Sequence, residues 1–185
     1  MSRSLHTDPY ELRAARRAGR PPVRTTRPRP GFLHPAGAAD IAGLLAFFGP
    51  TAVYGLHRIE LRQRAAAVRP GLLIAGLKSP GVIVLFEQPR PPWLLAGRFS
   101  AAALARLRRA GARLRVTAAH TAVDWPGETL RDFMFFDGLM HEVGHHMLQH
   151  VARKRVVPVM RAADHERRAD AFATACRRAW TAASW

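Results

Sequence analysis

A five-residue segment, HEVGH at residues 141–145, has the residue types and spacing of a metal-dependent hydrolase. Residues four apart lie on one face of a helix, so His141 and His145 can both bind one metal ion. Glu142 follows His141 and lies near the same edge, where it can contact a water molecule at the metal rather than the metal itself. The pattern therefore predicts two imidazole ligands and a general base that act at one ion.

A third protein ligand is needed, because catalytic zinc sites have three such ligands and one open position. Glu166 lies 166 − 145 = 21 residues after His145, which is enough chain to end one helix, turn and begin an antiparallel one. We predict that Glu166 completes the site. Its neighbours His165 and Asp164 are alternatives, but on a helix both would point elsewhere. Asp170 is one helical turn beyond Glu166 and can accept the free ring N–H of a metal-bound histidine.

These two elements together resemble the zincin metallopeptidases, specifically the glutamate-ligand branch, the gluzincins. The second element, E-x-x-A-D-x-F-A at residues 166–173, is most similar to the ImmA/IrrE family of cytosolic bacterial peptidases, which cleave transcriptional repressors. It also resembles the soluble core of the HtpX-type peptidases, although we expect no membrane helix in this chain. The resemblance covers residues 128–180. It implies an α+β, minimal zincin-like fold, in which a small sheet packs against the HExxH helix and a ligand-bearing C-terminal helix.

We therefore expect Zn²⁺ to be bound by His141, His145 and Glu166, with water in the fourth position and Glu142 as the catalytic base. The alternative is that the two histidines are ordinary helix residues with other partners. The function that we predict is that of a zinc metalloendopeptidase, which makes limited cuts in a regulatory or DNA-associated protein. A basic nucleic-acid-associated module with a structural or vestigial metal site is the alternative function.

Two other parts of a peptidase site are less defined by the sequence. The oxyanion that forms during hydrolysis is usually stabilised by a cationic or phenolic donor, and His57, His120 and Arg161 are candidates. A peptide substrate would bind in an extended conformation along an edge strand beside the metal helix. Residues 82–86 and 113–118 are the two strands that we expect could supply this edge.

The composition indicates one domain that contains a sizeable core, since the chain has 185 residues, of which 48% are hydrophobic. Cys176 is the only cysteine, so no internal disulfide can form, and we expect it to be a buried, inert thiol. The N-terminus has no apolar signal segment, and the longest apolar run, residues 41–56, is too short to span a bilayer. We therefore expect a cytoplasmic protein with no transmembrane segment.

Positive charge is concentrated outside the metal motif. The formal net charge is +16. Residues 1–120 contain 20 basic and 5 acidic residues (20 − 5 = +15), whereas residues 121–185 contain 9 and 8 (9 − 8 = +1). A field of this sign attracts nucleic acid and acidic proteins. We therefore expect a protein or peptide substrate at the metal site, and DNA or an acidic protein as a partner of the basic N-terminal region.

The chain divides into two parts by composition. Residues 1–35 are rich in Arg and Pro and are predicted to form a mobile basic arm. Residues 36–185 are predicted to form the zincin-like metallopeptidase domain. Hydrophobic periodicity and turn residues predict helices over 38–48, 101–110, 128–152 and 162–179, and strands over 53–62, 72–77, 82–86 and 113–118.

Overall fold

Helices and three small sheets make up the part of the chain that the structure, a computed structural model, describes: residues 20–65, 73–78, 81–97, 99–151 and 163–183. The strands are β1 Val23–Thr25, β2 Phe32–Leu33, β3 Arg58–Arg62, β4 Ala75–Lys78, β5 Val82–Phe86, β6 Gln88–Pro89, β7 Trp93–Ala96, β8 Arg113–Val116 and β9 His120–Asp124. The largest sheet has the order β1-β3-β5-β4, with β1, β3 and β5 parallel and β4 antiparallel to β5. This mixture of helices and small sheets is the α+β class that we predicted.

Strand β5 is the apolar centre of the four-stranded sheet. Ile83 and Leu85 are fully buried, and they lie opposite the buried Ile59 and Leu61 of β3. A continuous apolar run such as VIVLF is typical of a strand that is covered on both faces. The strands predicted over 72–77 and 82–86 are present as β4 and β5, which pair antiparallel. This pairing leaves β4 at the edge of the sheet.

The first helix, α1 Ala38–Val53, packs one apolar face into the core. Its spacing places Ile41, Leu44 and Leu45 on that buried face, as predicted. The helical geometry is interrupted at Gly49, which has φ +74°, a conformation that glycine adopts without strain. The predicted end of the helix coincides with this break, but one more helical turn follows it. The next strand, β3, therefore begins at Arg58 and not at Val53 as predicted.

The smaller sheets and the second helix lie between β5 and the metal motif in the sequence, except for β2, which precedes β3. Strands β7, β9 and β8 form an antiparallel sheet in that order, and β2 pairs with β6. Helix α2 Ala101–Arg109 was predicted, including its cap, since the Ser100 hydroxyl accepts a hydrogen bond from the backbone N–H of Ala103 at 3.2 Å. The strands β7 and β9 were not predicted.

One continuous helical stretch, Thr129–Val151, carries the HExxH segment, but it is not α-helical throughout. It consists of α3 Thr129–Phe133, a π-helical segment Met134–Met140, and α4 His141–Val151. Six of the seven residues of the π-helical segment are buried, and only Asp137 among them is partly exposed. The predicted long α-helix is therefore right in its extent and wrong in its centre. π-Helical turns are rare and occur mostly at functional sites.

The last helix, α5 Ala163–Ala183, runs antiparallel to α4 and packs along it. Three contacts establish this direction, because Glu166 meets His145, Asp170 meets His141, and Arg177 meets Asp137. The prediction of an antiparallel ligand-bearing helix is therefore confirmed.

Residues 20–35, which we assigned to the basic arm, contribute β1 and β2 to the sheets. The rest of the predicted arm, residues 1–19, lies outside the described residues. Nowhere in the described residues does a helix combine the length and the apolar character that crossing a membrane requires.

Candidate metal centre

Three side chains from two helices bring their ligand atoms together beside a cleft that lies between α4, α5 and β4. Nε2 of His141 lies 3.1 Å from Nε2 of His145. The two carboxylate oxygens of Glu166 lie 3.4 Å from these nitrogens, Oε2 from His141 and Oε1 from His145. The ligand atoms of the three residues all fall within 4.8 Å of one another. These are the three ligands that the sequence predicted.

The spacing of these atoms is compatible with one shared ion. Donor atoms bonded to a single zinc ion at about 2.0–2.1 Å lie about 3.3 Å from one another when the geometry is tetrahedral. The two histidine nitrogens are 3.1 Å apart, and each has a different carboxylate oxygen of Glu166 at 3.4 Å. Both histidines are buried, whereas the Glu166 side chain is 39% exposed. The group could therefore hold a metal ion with one side open to the cleft.

Glu142, the residue that we predicted to be the base, is the second residue of α4. Its side chain is buried, with a residue exposure of 3%, and it lines the cleft together with His141 and Glu166. It is absent from the cluster of ligand atoms. Glu142 is therefore positioned beside the metal ligands without being one of them, as a general base requires.

Asp170 contacts the outer nitrogen of a ligand histidine, as predicted. Its Oδ1 lies 2.9 Å from Nδ1 of His141. The distance is that of an ion pair, but the alignment is not that of a formed N–H···O hydrogen bond. The Asp170 side chain is 69% exposed, so its carboxylate can rotate into line with the ring N–H. A carboxylate at this nitrogen would hold the ring so that Nε2 faces the metal.

Comparisons of the chain with protein-family models, with curated proteins and with solved structures found no match.

Close packing of α4 on α5 depends on Gly144, the small residue within the HExxH segment. A Cβ atom at this position would lie 3.1 Å from Cα of Ala169 and 3.3 Å from a ring carbon of Phe172. Both distances are shorter than ordinary carbon–carbon contacts. Gly144 therefore allows α5 to approach closely enough for Glu166 to reach the two histidines.

We expect Gly144→Ala to destabilise the zinc-loaded protein. Overpacking of this kind costs about 1–3 kcal/mol, and the helix propensity of alanine returns about 1 kcal/mol, so we expect a net loss of about 1 kcal/mol in the free energy of unfolding. Urea denaturation measures it.

Gly43→Ala is the matched control for this substitution. Gly43 lies in α1, and a Cβ atom there would meet nothing within 4 Å. Alanine at this position should therefore raise the free energy of unfolding by about 0.5–1 kcal/mol through its helix propensity. Equal stabilisation by both substitutions would contradict the packing role of Gly144.

Asp137, in the π-helical segment, connects three helices around the cleft. Arg106 of α2 donates from Nε to its Oδ1 at 3.0 Å and from Nη2 to its backbone carbonyl at 2.8 Å. Arg177 of α5 forms an ion pair with the other carboxylate oxygen. These contacts hold α2 and α5 against the helix that carries the histidines.

The cleft beside the ligands has a volume of about 510 Å³ and is open on one side. Apart from the site residues, its lining includes the first residue of β4 with the two residues before it, and four arginines. The lining residues outside the site are Leu73, Ile74, Ala75, Arg106, Arg109, Phe136, Asp137, Ala173, Thr174, Arg177 and Arg178.

The edge strand beside the metal helix is β4, and neither of the two predicted edges is correct. Residues 82–86 form β5, which lies between β3 and β4 and so presents no free edge. Residues 113–116 form β8, which is an edge strand but belongs to a different sheet and does not line the cleft. Ala75 of β4 lines the cleft, as does the preceding Ile74.

Neither of the two predicted oxyanion donors that the structure describes lies in the cleft. His57 and His120 are exposed, and neither contributes to the lining. Arg161 lies outside the described residues. Among the described residues, four arginines line the cleft instead, and sequence reasoning missed all of them. Two of these, Arg177 and Arg178, were detectable as the continuation of the helical face that contains Glu166.

The alternative ligands and the other histidines have separate roles. Asp164 forms an ion pair with Arg167, and neither it nor His165 belongs to the cluster of ligand atoms. His146 donates from Nε2 to the backbone carbonyl of Tyr54 at 3.0 Å, which links α4 to the end of α1. These positions agree with the choice of Glu166 as third ligand.

Cys176 is buried on α5, as predicted. Burial raises the pKa of its thiol to about 11. The thiol is therefore protonated at neutral pH, which is the unreactive form.

Proposed function

We propose that this protein is a zinc-dependent metallopeptidase of the gluzincin type that hydrolyses peptide bonds. The observation that carries the proposal is the convergence of two imidazole nitrogens and one carboxylate within 4.8 Å of one another, next to the buried carboxylate of Glu142. Structural zinc sites are closed by four protein ligands, whereas catalytic sites have three. The described residues supply three ligands, beside an open cleft, which favours catalysis.

The residues of the chain divide the chemistry of hydrolysis among them. His141, His145 and Glu166 would hold the ion. Bound zinc lowers the pKa of a coordinated water to about 7 and polarises the scissile carbonyl. Glu142 takes one proton from the attacking water as the new C–O bond forms. It then delivers that proton to the amide nitrogen as the C–N bond breaks, so the products are a carboxylic acid and an amine.

Strand β4 would align the substrate. In the described part of the chain, β4 pairs with β5 on one side only. A peptide that adds to its other side as an extended strand would be held by backbone hydrogen bonds. Because Ile74 and Ala75 line the same cleft as His141 and Glu142, such a peptide would present one of its carbonyl groups to the metal ligands.

The wider biology follows from charge and composition. A cytoplasmic site of action is proposed because a chain with a single cysteine forms no internal disulfide, which fits a reducing compartment. A regulatory or DNA-associated protein is the proposed substrate, because residues 1–120 have a net charge of +15 (20 − 5) and attract nucleic acid and acidic proteins. The resemblance to the ImmA/IrrE peptidases favours limited proteolysis.

The proposal is tested with zinc-loaded protein and a randomised decapeptide library, whose products are read by mass spectrometry. We expect cleavage that stops when EDTA removes the metal and resumes when zinc is added back. If protein with about one zinc per chain cleaves no member of the library, the protein is not a peptidase.

The same charge asymmetry favours a second candidate, a nucleic-acid-associated module with a structural or vestigial metal site. That function requires tight DNA binding with a strong salt dependence, and the affinity should not change in a Glu142→Gln variant. Cleavage of peptides in the library experiment would argue against it.

A further inference from the structure

The cleft is divided into a carboxylate end and an arginine end. Along α5 the residues that line it recur at helical spacing: first Glu166 and Asp170, then Thr174, then Arg177 and Arg178. The backbone carbonyl of Arg109, at the end of α2, lies 3.4 Å from Nη1 of Arg177. Arg109 therefore lies beside the same end of the cleft.

Two of the four arginines in the cleft share one carboxylate as their ion-pair partner. Arg106 and Arg177 both bind Asp137, as described above. Arg109 and Arg178 are exposed, and in the part of the chain that the structure describes neither forms an ion pair. They therefore add positive charge to a cleft whose other end contains the carboxylates of the metal site.

The distance between the two ends can be stated in substrate residues. Arg178 is 178 − 166 = 12 residues after Glu166, which is about 18 Å along a helix. An extended peptide advances about 3.3 Å per residue, so a peptide along the cleft would reach the arginine end about five residues from the bond at the metal.

We propose that Arg109 and Arg178 form a binding subsite for a carboxylate of the peptide substrate, about five residues from the scissile bond. The ligand that they recognise is an acidic side chain or a free C-terminus. Guanidinium groups suit this ligand, because their planar N–H donors match the two oxygens of a carboxylate. That the ligand is a peptide rests on the proposed peptidase function.

Binding is measured separately from cleavage, in the zinc-loaded Glu142→Gln variant. Fluorescein-labelled decapeptides with an Asp/Glu block are compared by fluorescence anisotropy with peptides in which Asn/Gln replace that block. We expect the acidic peptide to bind about tenfold more tightly. Adding Arg109→Gln and Arg178→Gln should reduce this ratio to about one.

A matched control is needed, because a protein with a net charge of +16 attracts any acidic peptide. Arg113→Gln with Arg115→Gln removes the same charge from β8, whose arginines are exposed and do not line the cleft. This pair should leave the preference for the acidic peptide intact. Equal loss in both pairs or no measurable binding of the acidic peptide would overturn the subsite, as would a parent variant that prefers neither the acidic block nor a free C-terminus over an amidated one.

C-terminal amidation distinguishes the two sources of the carboxylate. If the acidic peptide keeps its advantage after amidation, the subsite binds a side chain; if the acidic and Asn/Gln peptides bind equally and amidation weakens both, it binds the terminus. The peptidase proposal can fail without affecting this result, because a variant that cleaves nothing can still prefer the acidic peptide. In the active protein, the bonds cut in the library should have Asp or Glu enriched about five residues away.

Discussion

We expect the replacement of Glu142 with Gln to abolish peptide hydrolysis and to leave about one zinc per chain. Glutamine has almost the same shape as glutamate but cannot accept a proton from the attacking water, so we expect kcat/KM to fall by about 10³-fold or more. The zinc content should not change, because the ligand cluster consists of other residues. Cleavage of the decapeptide library measures the first effect, and elemental analysis measures the second.

Glu128→Gln is the control for this prediction. Glu128 undergoes the same chemical change immediately before the same helical stretch, but its side chain is 68% exposed and pairs with Arg131. Its hydrolysis rate should equal that of the wild type. Full activity in the Glu142→Gln variant would show that this residue is not the base, whereas loss of zinc would show that it supports the ligands.

Glu166→Ala should lose the metal. Two histidines remain, which is fewer than the three protein ligands that catalytic zinc sites use. Replacing residues that only support a ligand already lowers affinity by about 10–100-fold, so we expect removal of a ligand to lower it by more than about 100-fold. Because zinc binds the folded state, added zinc should raise the melting temperature of the wild type and not that of the variant.

Asp164→Ala is the matched control, since it removes a carboxylate from the same turn of α5. Asp164 lies outside the ligand cluster and pairs with the exposed Arg167. Its zinc content and its zinc-dependent melting temperature should be those of the wild type. If Asp164→Ala loses zinc while Glu166→Ala retains it, Asp164 is the third ligand and our assignment of Glu166 is wrong.

Much of the metal centre could be predicted from the sequence, because its parts depend on short-range geometry. The spacing of His141 and His145 puts both on one helix face wherever that helix lies in the fold. Glu166 and Asp170 share a face for the same reason. The separation of 21 positions from His145 to Glu166 was enough to predict an antiparallel pair of helices, and the contacts between α4 and α5 confirm it.

The choice of edge strand shows where sequence reasoning failed although a signal was present. The run VIVLF at residues 82–86 is continuously apolar, which is typical of a strand with neighbours on both sides. The structure has it between β3 and β4. The edge beside the metal helix is β4, whose residues give no comparable signal in the sequence.

The sequence by itself indicated which residues could serve as ligands and as base, together with the order of the helices, since these follow from residue type and helical periodicity. Tertiary structure alone decided the π-helical segment, the position of β4 beside the site, and the grouping of arginines from α2 and α5 at one end of the cleft. Arg109 and Arg178 are 178 − 109 = 69 residues apart, and local spacing carries no information over that distance. Packing brings them together, through a glycine that lets α5 approach α4 and an aspartate that binds arginines from both α2 and α5.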